Sequence, residues 1–387
     1  MKIGLLLPSV YMGSKYKNKI FAPKELFLNL ANGLVDKGHE VYVYASPNTK
    51  TKARLISGDE RLIDKDFTSS KVLGLDKLSK LKNAHTATKI EYEIDLTVKA
   101  YMHAKKKKLD IMHAYHDFMA HYVNKIELLK TVYTLHDPKP RREHLVYRRL
   151  NSFNKDNYIF ISESQLNTFD NMVHSAGVVR HGVDINKFKF DKTGGEYLAF
   201  LGRYIKEKGV LEAISAAKKT GKTLKMVGDD AYRVLPYYQK NVLPFLKNGV
   251  VEDKSFGEAE RDEFLREAKA LLFPILWNEP FGMVMIEAMS SGTPVIAFNR
   301  GSVAEVIKDG VTGFIIEPDE KHKSSKWIIK KTGKEGLAEA ISRIYSMSQE
   351  EYKQMRISSR IHVEENFTIE KMVEEHEKVY KRIISQG

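Results

Sequence analysis

Two carboxylates, Glu279 and Glu287, bracket seven residues in Asn278-Glu279-Pro280-Phe281-Gly282-Met283-Val284-Met285-Ile286-Glu287-Ala288-Met289. Pro280 suits the first position of a helix, where its missing N–H costs nothing. Gly282 lets a ligand approach the backbone closely. An apolar run of good helix formers follows, up to the stop signal Ser291-Gly292. The spacing therefore predicts a helix opening at Pro280, with Glu279 on the loop before it and Glu287 about two turns inside. A helix N-terminus offers unpaired N–H groups and the positive end of a dipole, which suits phosphate. Carboxylates on either side can accept from sugar hydroxyls, so the arrangement fits a ligand carrying both, as a nucleotide-sugar does.

The flanks favour that reading over two solvated helix charges. Ala270-Leu271-Leu272-Phe273-Pro274 precedes the motif and Gly292-Thr293-Pro294-Val295-Ile296-Ala297-Phe298 follows it, each reading as a short buried strand. The motif then lies at the carboxyl end of a parallel strand, where open α/β sheets hold their ligands. Arg203 and Lys208 occupy a similar place in Leu201-Gly202-Arg203-Tyr204-Ile205-Lys206-Glu207-Lys208-Gly209. Cations there can stabilise the charge that gathers on a departing diphosphate, Arg as a bidentate fork and Lys as a point charge. Thr131-Val132-Tyr133-Thr134-Leu135 reads as a strand that delivers His136-Asp137 at its carboxyl end.

These motifs, in this order, resemble the retaining glycosyltransferases of family 4, which have the two-domain GT-B fold. The family signature is a Glu-x7-Glu element followed by Gly-Thr-Pro-Val-Ile, matched over 279–298. Gly310-Val311-Thr312-Gly313-Phe314, after Ala304-Glu305-Val306-Ile307, matches the next block. The likeness is strong over roughly 195–317 and weaker, though colinear, before that. It implies that Arg203 and Lys208 take the donor phosphates, that Glu287 accepts from the ribose and that Glu279 faces the transferred sugar. The amides of Phe281, Gly282 and Met283, with Val284, would line the sugar and phosphate. Gly202, Gly228 in Met226-Val227-Gly228-Asp229, and Phe256 and Gly257 would line the nucleotide. His136 would point at the donor sugar. Gly13-Ser14, where the family often has Gly-Gly, would approach the diphosphate or the acceptor. The implied reaction moves a hexose from a nucleotide diphosphate sugar, a UDP-hexose such as UDP-glucose before GDP-mannose, to an acceptor hydroxyl. It proceeds by same-face attack, with no metal and no cofactor. Closure of the two domains would bring His136 over the donor. A phosphorylase or epimerase on the same scaffold, or a nucleotide-sugar-binding protein without transfer, stays open beside it.

Composition narrows the field further. The 387 residues suffice for two domains. Without cysteine there is no disulfide, thiolate metal site or cysteine nucleophile, which fits the cytoplasm. Lys2–Pro8 reads as a first strand and not as a signal peptide, and no apolar run is long enough to span a bilayer. The net charge is +13, and residues 1–190 hold 32 Lys and Arg against 20 Asp and Glu. That excess suits an anionic acceptor or one at a membrane surface, such as a lipid-linked glycan, with peripheral membrane contact. A lysine-rich composition of the whole proteome would give the same total. No nucleic-acid module is recognisable. A G-x-G-x-x-G motif after the first strand is missing, which argues against a nicotinamide enzyme. Asp64-Lys65-Asp66 has no flanking strand and reads as chance. His113, His116 and His121 have poor spacing for zinc and read as cleft lining or surface.

Strands at 2–8, 40–45, 110–114, 131–135 and 158–161, with helices at 23–37 and 86–108, predict a parallel doubly wound sheet. Residues 46–85 are polar and give no assignment. A second set of strands is expected at 197–201, 224–227, 250–251, 270–273, 294–298 and 313–316. The domains are expected as 1–190, an acceptor-binding Rossmann-like domain, and 191–367, a nucleotide-sugar-binding one. A helix over 368–387 would return to the first. Lys321–Lys334 reads as a lysine-rich inserted loop in which an exposed Trp327 would be an interfacial anchor, with ordinary loop packing as the alternative.

Overall fold

The computed structural model describes residues 1–9, 12, 22–59, 62, 78–115, 119–254, 260–322 and 326–386. The chain forms two compact units, and neither is continuous in sequence. One comprises Met1–Ile161, Phe169–Val179 and Met372–Gly387; the other comprises Ser162–Thr168 and Arg180–Lys371.

The first unit holds a seven-stranded sheet of β1 (Lys2–Leu6), β2 (Glu40–Tyr44), β3 (Arg54–Ile56), β4 (Ile111–Ala114), β5 (Thr131–Thr134), β6 (Asn157–Phe160) and β7 (Ser175–Val178), in the order β3-β2-β1-β4-β5-β6-β7. Every pairing is parallel. β4 and β5 are buried at every residue, as expected where helices cover both faces of a parallel sheet. The helix Ala22–Asp36 turns Leu26, Phe27, Leu30, Ala31 and Leu34 inward at helical spacing. The C-terminal segment completes this unit. Tyr380 is fully buried and its hydroxyl meets His113 Nδ1 at 2.6 Å, while Thr134 Oγ1 meets the Nε2 of the same ring at 2.7 Å.

The second unit holds a six-stranded parallel sheet of β8 (Tyr197–Leu201), β9 (Leu224–Val227), β10 (Val251–Lys254), β11 (Ala268–Phe273), β12 (Val295–Phe298) and β13 (Gly313–Ile316), in the order β10-β9-β8-β11-β12-β13. The order reverses between β8 and β11, which lie side by side. The helix Gln349–Asn366 opens with a Ser348/Glu351 capping box. It carries Arg356, a fully buried guanidinium with no carboxylate partner among the described residues. Arg356 instead donates to the carbonyls of Asp191, Arg266, Ala268 and Ser291, pinning the loops at the amino ends of β8, β11 and β12.

Several expectations need correction. The chain passes to the second unit after Val179, about ten residues before the expected boundary at 190. Residues 180–188 are tied down inside that unit: Arg180 pairs with Glu305, Val183 N donates to Phe367 O, and Arg360 donates to the carbonyls of Ile185 and Phe188. β3 lies in the stretch left unassigned, and β7 was not expected. Trp327 is buried rather than exposed, with its indole N–H on Glu317 Oε1 at 2.6 Å, so it packs as a loop residue and is no interfacial anchor. His113 and His121 are likewise buried and not at a surface; His121 stacks on Tyr133 and meets Asp156 at 2.8 Å. No described helix is long and apolar enough to cross a membrane.

Candidate functional site

In the second unit, the loops that follow β8 and β11 emerge together at the reversal of strand order, the usual ligand position in such sheets. The loop after β8 carries Arg203 and then a short 3-10 turn, Lys206–Lys208. Gly209 closes the turn at φ +70°, a left-handed value that a side chain would strain, and a Cβ there would lie 1.8 Å from Pro274 O. Leu276 N donates to Glu207 O at 2.8 Å, so the two loops are bonded to each other. This fixes Lys208 against the segment after β11.

There Lys208 Nζ meets Glu279 Oε2 at 2.6 Å, with both side chains about one-sixth exposed. Trp277 Nε1 donates to the same oxygen at 2.7 Å. The ammonium also lies 5.3 Å from the Trp277 ring and 6.0 Å from the Phe273 ring, within the range of cation–π attraction. Glu279 itself is held from behind. Its carbonyl accepts from Ser302 N at 3.1 Å, and Ser302 Oγ donates to Phe281 O at 2.6 Å.

The helix begins at Met283 and runs to Ser290, three residues later than Pro280 predicted. The reason is Gly282, which caps it at φ +80° and cannot belong to a right-handed helix. Glu287 is thus little more than one turn inside. It is buried and receives Arg261 Nη1 on Oε1 at 2.9 Å. The amides of Gly282, Met283 and Val284 belong to the helix start and lie at half-exposed residues. Phe281 is a core ring, edge-on to His181 and Phe367.

Arg203 is exposed, and its guanidinium forms no ion pair among the described residues. Gly202 N bonds Val227 O, and Gly228 allows close packing: a Cβ there would lie 2.7 Å from the Tyr204 ring and 2.8 Å from Gly202 O. Tyr204 is held by Asp253 Oδ1 at 2.5 Å; burial, with that carboxylate beside it, pushes the phenol pKa well up. Asp253 also takes both arms of Arg233 and the Tyr238 hydroxyl. This cluster stiffens the carboxyl ends of β9 and β10.

The structure therefore brings together Lys208, Glu279 and the start of the Met283–Ser290 helix, with Glu287 four residues on. Trp277 and Arg261 join them although the motifs did not single them out. Gly13, Ser14, Phe256 and Gly257 lie outside the described residues, as do His116 and Asp64-Lys65-Asp66. In the first unit, His136 follows β5. Its Nε2 lies 2.7 Å from Tyr115 O, which makes that nitrogen the N–H donor, and its ring lies 4.6 Å from the Tyr115 ring.

Comparison with known proteins bears on the fold and the family likeness. The full chain superposes on sucrose-phosphate synthase from Thermosynechococcus elongatus with a TM-score of 0.72 at 16% identity, covering 100% of both chains. Anabaena HepE in complex with UDP-glucose gives a TM-score of 0.66 at 19% identity, covering 100% of this chain and 99% of that one. The chain has the GT-B fold. Residues 183–361, just under half the chain, match the family model Glycosyl transferases group 1. An uncharacterized glycosyltransferase of Methanocaldococcus jannaschii is 28% identical over 49% of this chain and 53% of its own. Glycogen synthase of Mycobacterium tuberculosis is 31% identical over 36% of each. The matches to these and similar relatives span between 34% and 59% of the relatives' own length. The group 1 match contains Arg203, Lys208, Arg261, Trp277, Glu279 and Glu287, and so every second-unit residue of the candidate site.

Proposed function

We propose that this protein is a retaining glycosyltransferase of family 4 that moves a hexose from a nucleotide diphosphate sugar to an acceptor hydroxyl. The observation that carries the reading is the meeting of Lys208 and Glu279 at 2.6 Å beside the N-terminus of the Met283–Ser290 helix. A cation, a carboxylate and free helix amides are gathered at one strand reversal. Lys208, with exposed Arg203 nearby in sequence, meets the charge that grows on the leaving diphosphate. The helix amides add fixed positive dipoles without reorganising. Glu279 accepts from the sugar and Glu287 from the ribose.

With that charge met by protein groups, the reaction needs no metal, and the departing phosphate takes the acceptor's proton during same-face attack. UDP-glucose is the favoured donor; the likeness to the fold of HepE, whose structure holds UDP-glucose, supports the choice. The acceptor is anionic or held at a membrane surface, in keeping with the basic excess in residues 1–190, and the reaction takes place in the cytoplasm. His136 contributes from the first unit: with Nε2 donating to Tyr115 O, its Nδ1 accepts from a sugar hydroxyl.

A thermal-shift panel of UDP, GDP, ADP and their common sugar conjugates, run with EDTA, tests the reading. The expected result is stabilisation by UDP, greater stabilisation by UDP-glucose, and loss of both in Glu287→Ala. A folded protein that responds to no nucleotide overturns the donor site, and a response that appears only without EDTA overturns metal independence.

A further inference from the structure

We propose that Trp277 is a positioning residue for Glu279, and that it decides which oxygen of that carboxylate is offered to a ligand. The inference rests on the glycosyltransferase reading. Two donors converge on a single atom: Trp277 Nε1 at 2.7 Å and Lys208 Nζ at 2.6 Å both reach Oε2. Oε1 accepts from no described residue. The terminal torsion of a glutamate is broad, so a carboxylate held by a lysine alone would exchange its oxygens freely. Lysine is a flexible point charge and sets little direction. Indole is different, being a rigid plate with one N–H and no acceptor. Its bond to Oε2 fixes the plane of the carboxylate and leaves Oε1 to accept a hydroxyl.

The supports of Trp277 point the same way. The indole plane, with Phe273, also flanks the Lys208 ammonium. One side chain thus orients the carboxylate and confines the cation that is paired with it. Phenylalanine at 277 would keep the aromatic contact and lose only the N–H. Catalytic geometry is sensitive at this scale, since a misplacement of about 1 Å costs on the order of 100-fold in rate.

The chain has two tryptophans, so [15N]tryptophan labelling gives two indole N–H resonances, and Trp327→Phe assigns them. Without any ligand, Glu279→Ala should move the Trp277 indole resonance upfield and leave that of Trp327 in place. With UDP-glucose as donor, Trp277→Phe should lower kcat about 10-fold while KM for UDP-glucose changes less than about 2-fold, because the diphosphate contacts remain. Thermal unfolding of Trp277→Phe keeps the comparison to folded protein. An unmoved indole resonance overturns the contact. A parent-like kcat in Trp277→Phe, or a loss wholly in KM, overturns the positioning role. A parent protein that turns over no nucleotide-sugar overturns the transferase reading and the kinetic part of the inference with it, while the indole shift still decides whether Trp277 holds Glu279.

Discussion

Glu287 and Arg261 form a half-buried pair at 2.9 Å, which makes their energetics asymmetric. Removing one partner takes a charge-assisted hydrogen bond from the other, and losing a hydrogen bond to a charged group costs roughly 1.5–3 kcal/mol. Arg261→Met should therefore weaken nucleotide binding by about 10-fold or more through a misoriented Glu287, measured by calorimetric titration with UDP. Lys208→Met removes the partner of the other carboxylate and, on the proposed mechanism, the cation that meets the leaving group. It should lower kcat by about 100- to 1,000-fold, the scale seen when one preorganised charge-stabilising donor is removed, in a donor-hydrolysis assay. At this scale the sequence was legible where the chemistry is local. Glu279 and Glu287 share one short segment, marked by Pro280, Gly282 and an apolar run. Arg261 was illegible because its partner lies 26 residues away and no motif joins them. Trp277 stands two residues from Glu279, but its role depends on a rotamer, which spacing does not encode.

The turn at 206–209 and the loop after β11 work as one element. Gly209→Ala should be costly because both the left-handed backbone and the 1.8 Å approach to Pro274 O oppose it. Gly221 makes the control, since it is also left-handed, at φ +64°, but has nothing within 4 Å of a Cβ. Urea unfolding should show Gly221→Ala losing about 1 kcal/mol and Gly209→Ala clearly more, with only the latter losing nucleotide response. The helix Gln349–Asn366 offers a second test. Arg356→Leu takes a shared donor from the carbonyls of Asp191, Arg266, Ala268 and Ser291, at about 1–3 kcal/mol for each one left unsatisfied, and should lower the urea midpoint more than any exposed substitution on that helix. Strands were readable where both faces are buried, as in β8, β9 and β13, whose limits matched the apolar runs. β3 and β7 escaped because they are only partly buried, β3 being just three residues with Arg54 and Leu55 exposed, and β7 carrying Ser175 and Gly177 in place of an apolar run. The helix start was misplaced because Pro280 is a statistical signal, whereas Gly282 at φ +80° is a steric stop.

Across the whole molecule, the buried histidines of the first unit link stability to pH. Burial pushes His376 down to about 4, and burial together with neighbouring His376 pushes His113 well below its ordinary value. The unfolded chain binds protons on these rings near pH 6.5, and the folded unit resists doing so. Their contribution is thus fully present above about pH 6.5 and is lost as pH falls toward about 4, with His376 alone contributing on the order of 3 kcal/mol. Urea midpoints should fall across that window, and His376→Leu should flatten the slope. The groups facing His113, namely Tyr115, Thr134, His376 and Tyr380, come from widely separated stretches of the chain.

The discontinuity of the first unit sets a timetable for synthesis. Its sheet is specified by residue 179, yet the segment that covers His113 begins at Met372. At cellular elongation rates of about 5–20 residues per second, the ribosome needs roughly 10 to 40 s to reach it. Through that interval the nascent chain carries a nearly finished sheet on which the patch that His376 and Tyr380 cover at His113 is still bare. The second unit is meanwhile being made, so the part translated first is the part sealed last. This is the stage at which a chaperone would find most to hold.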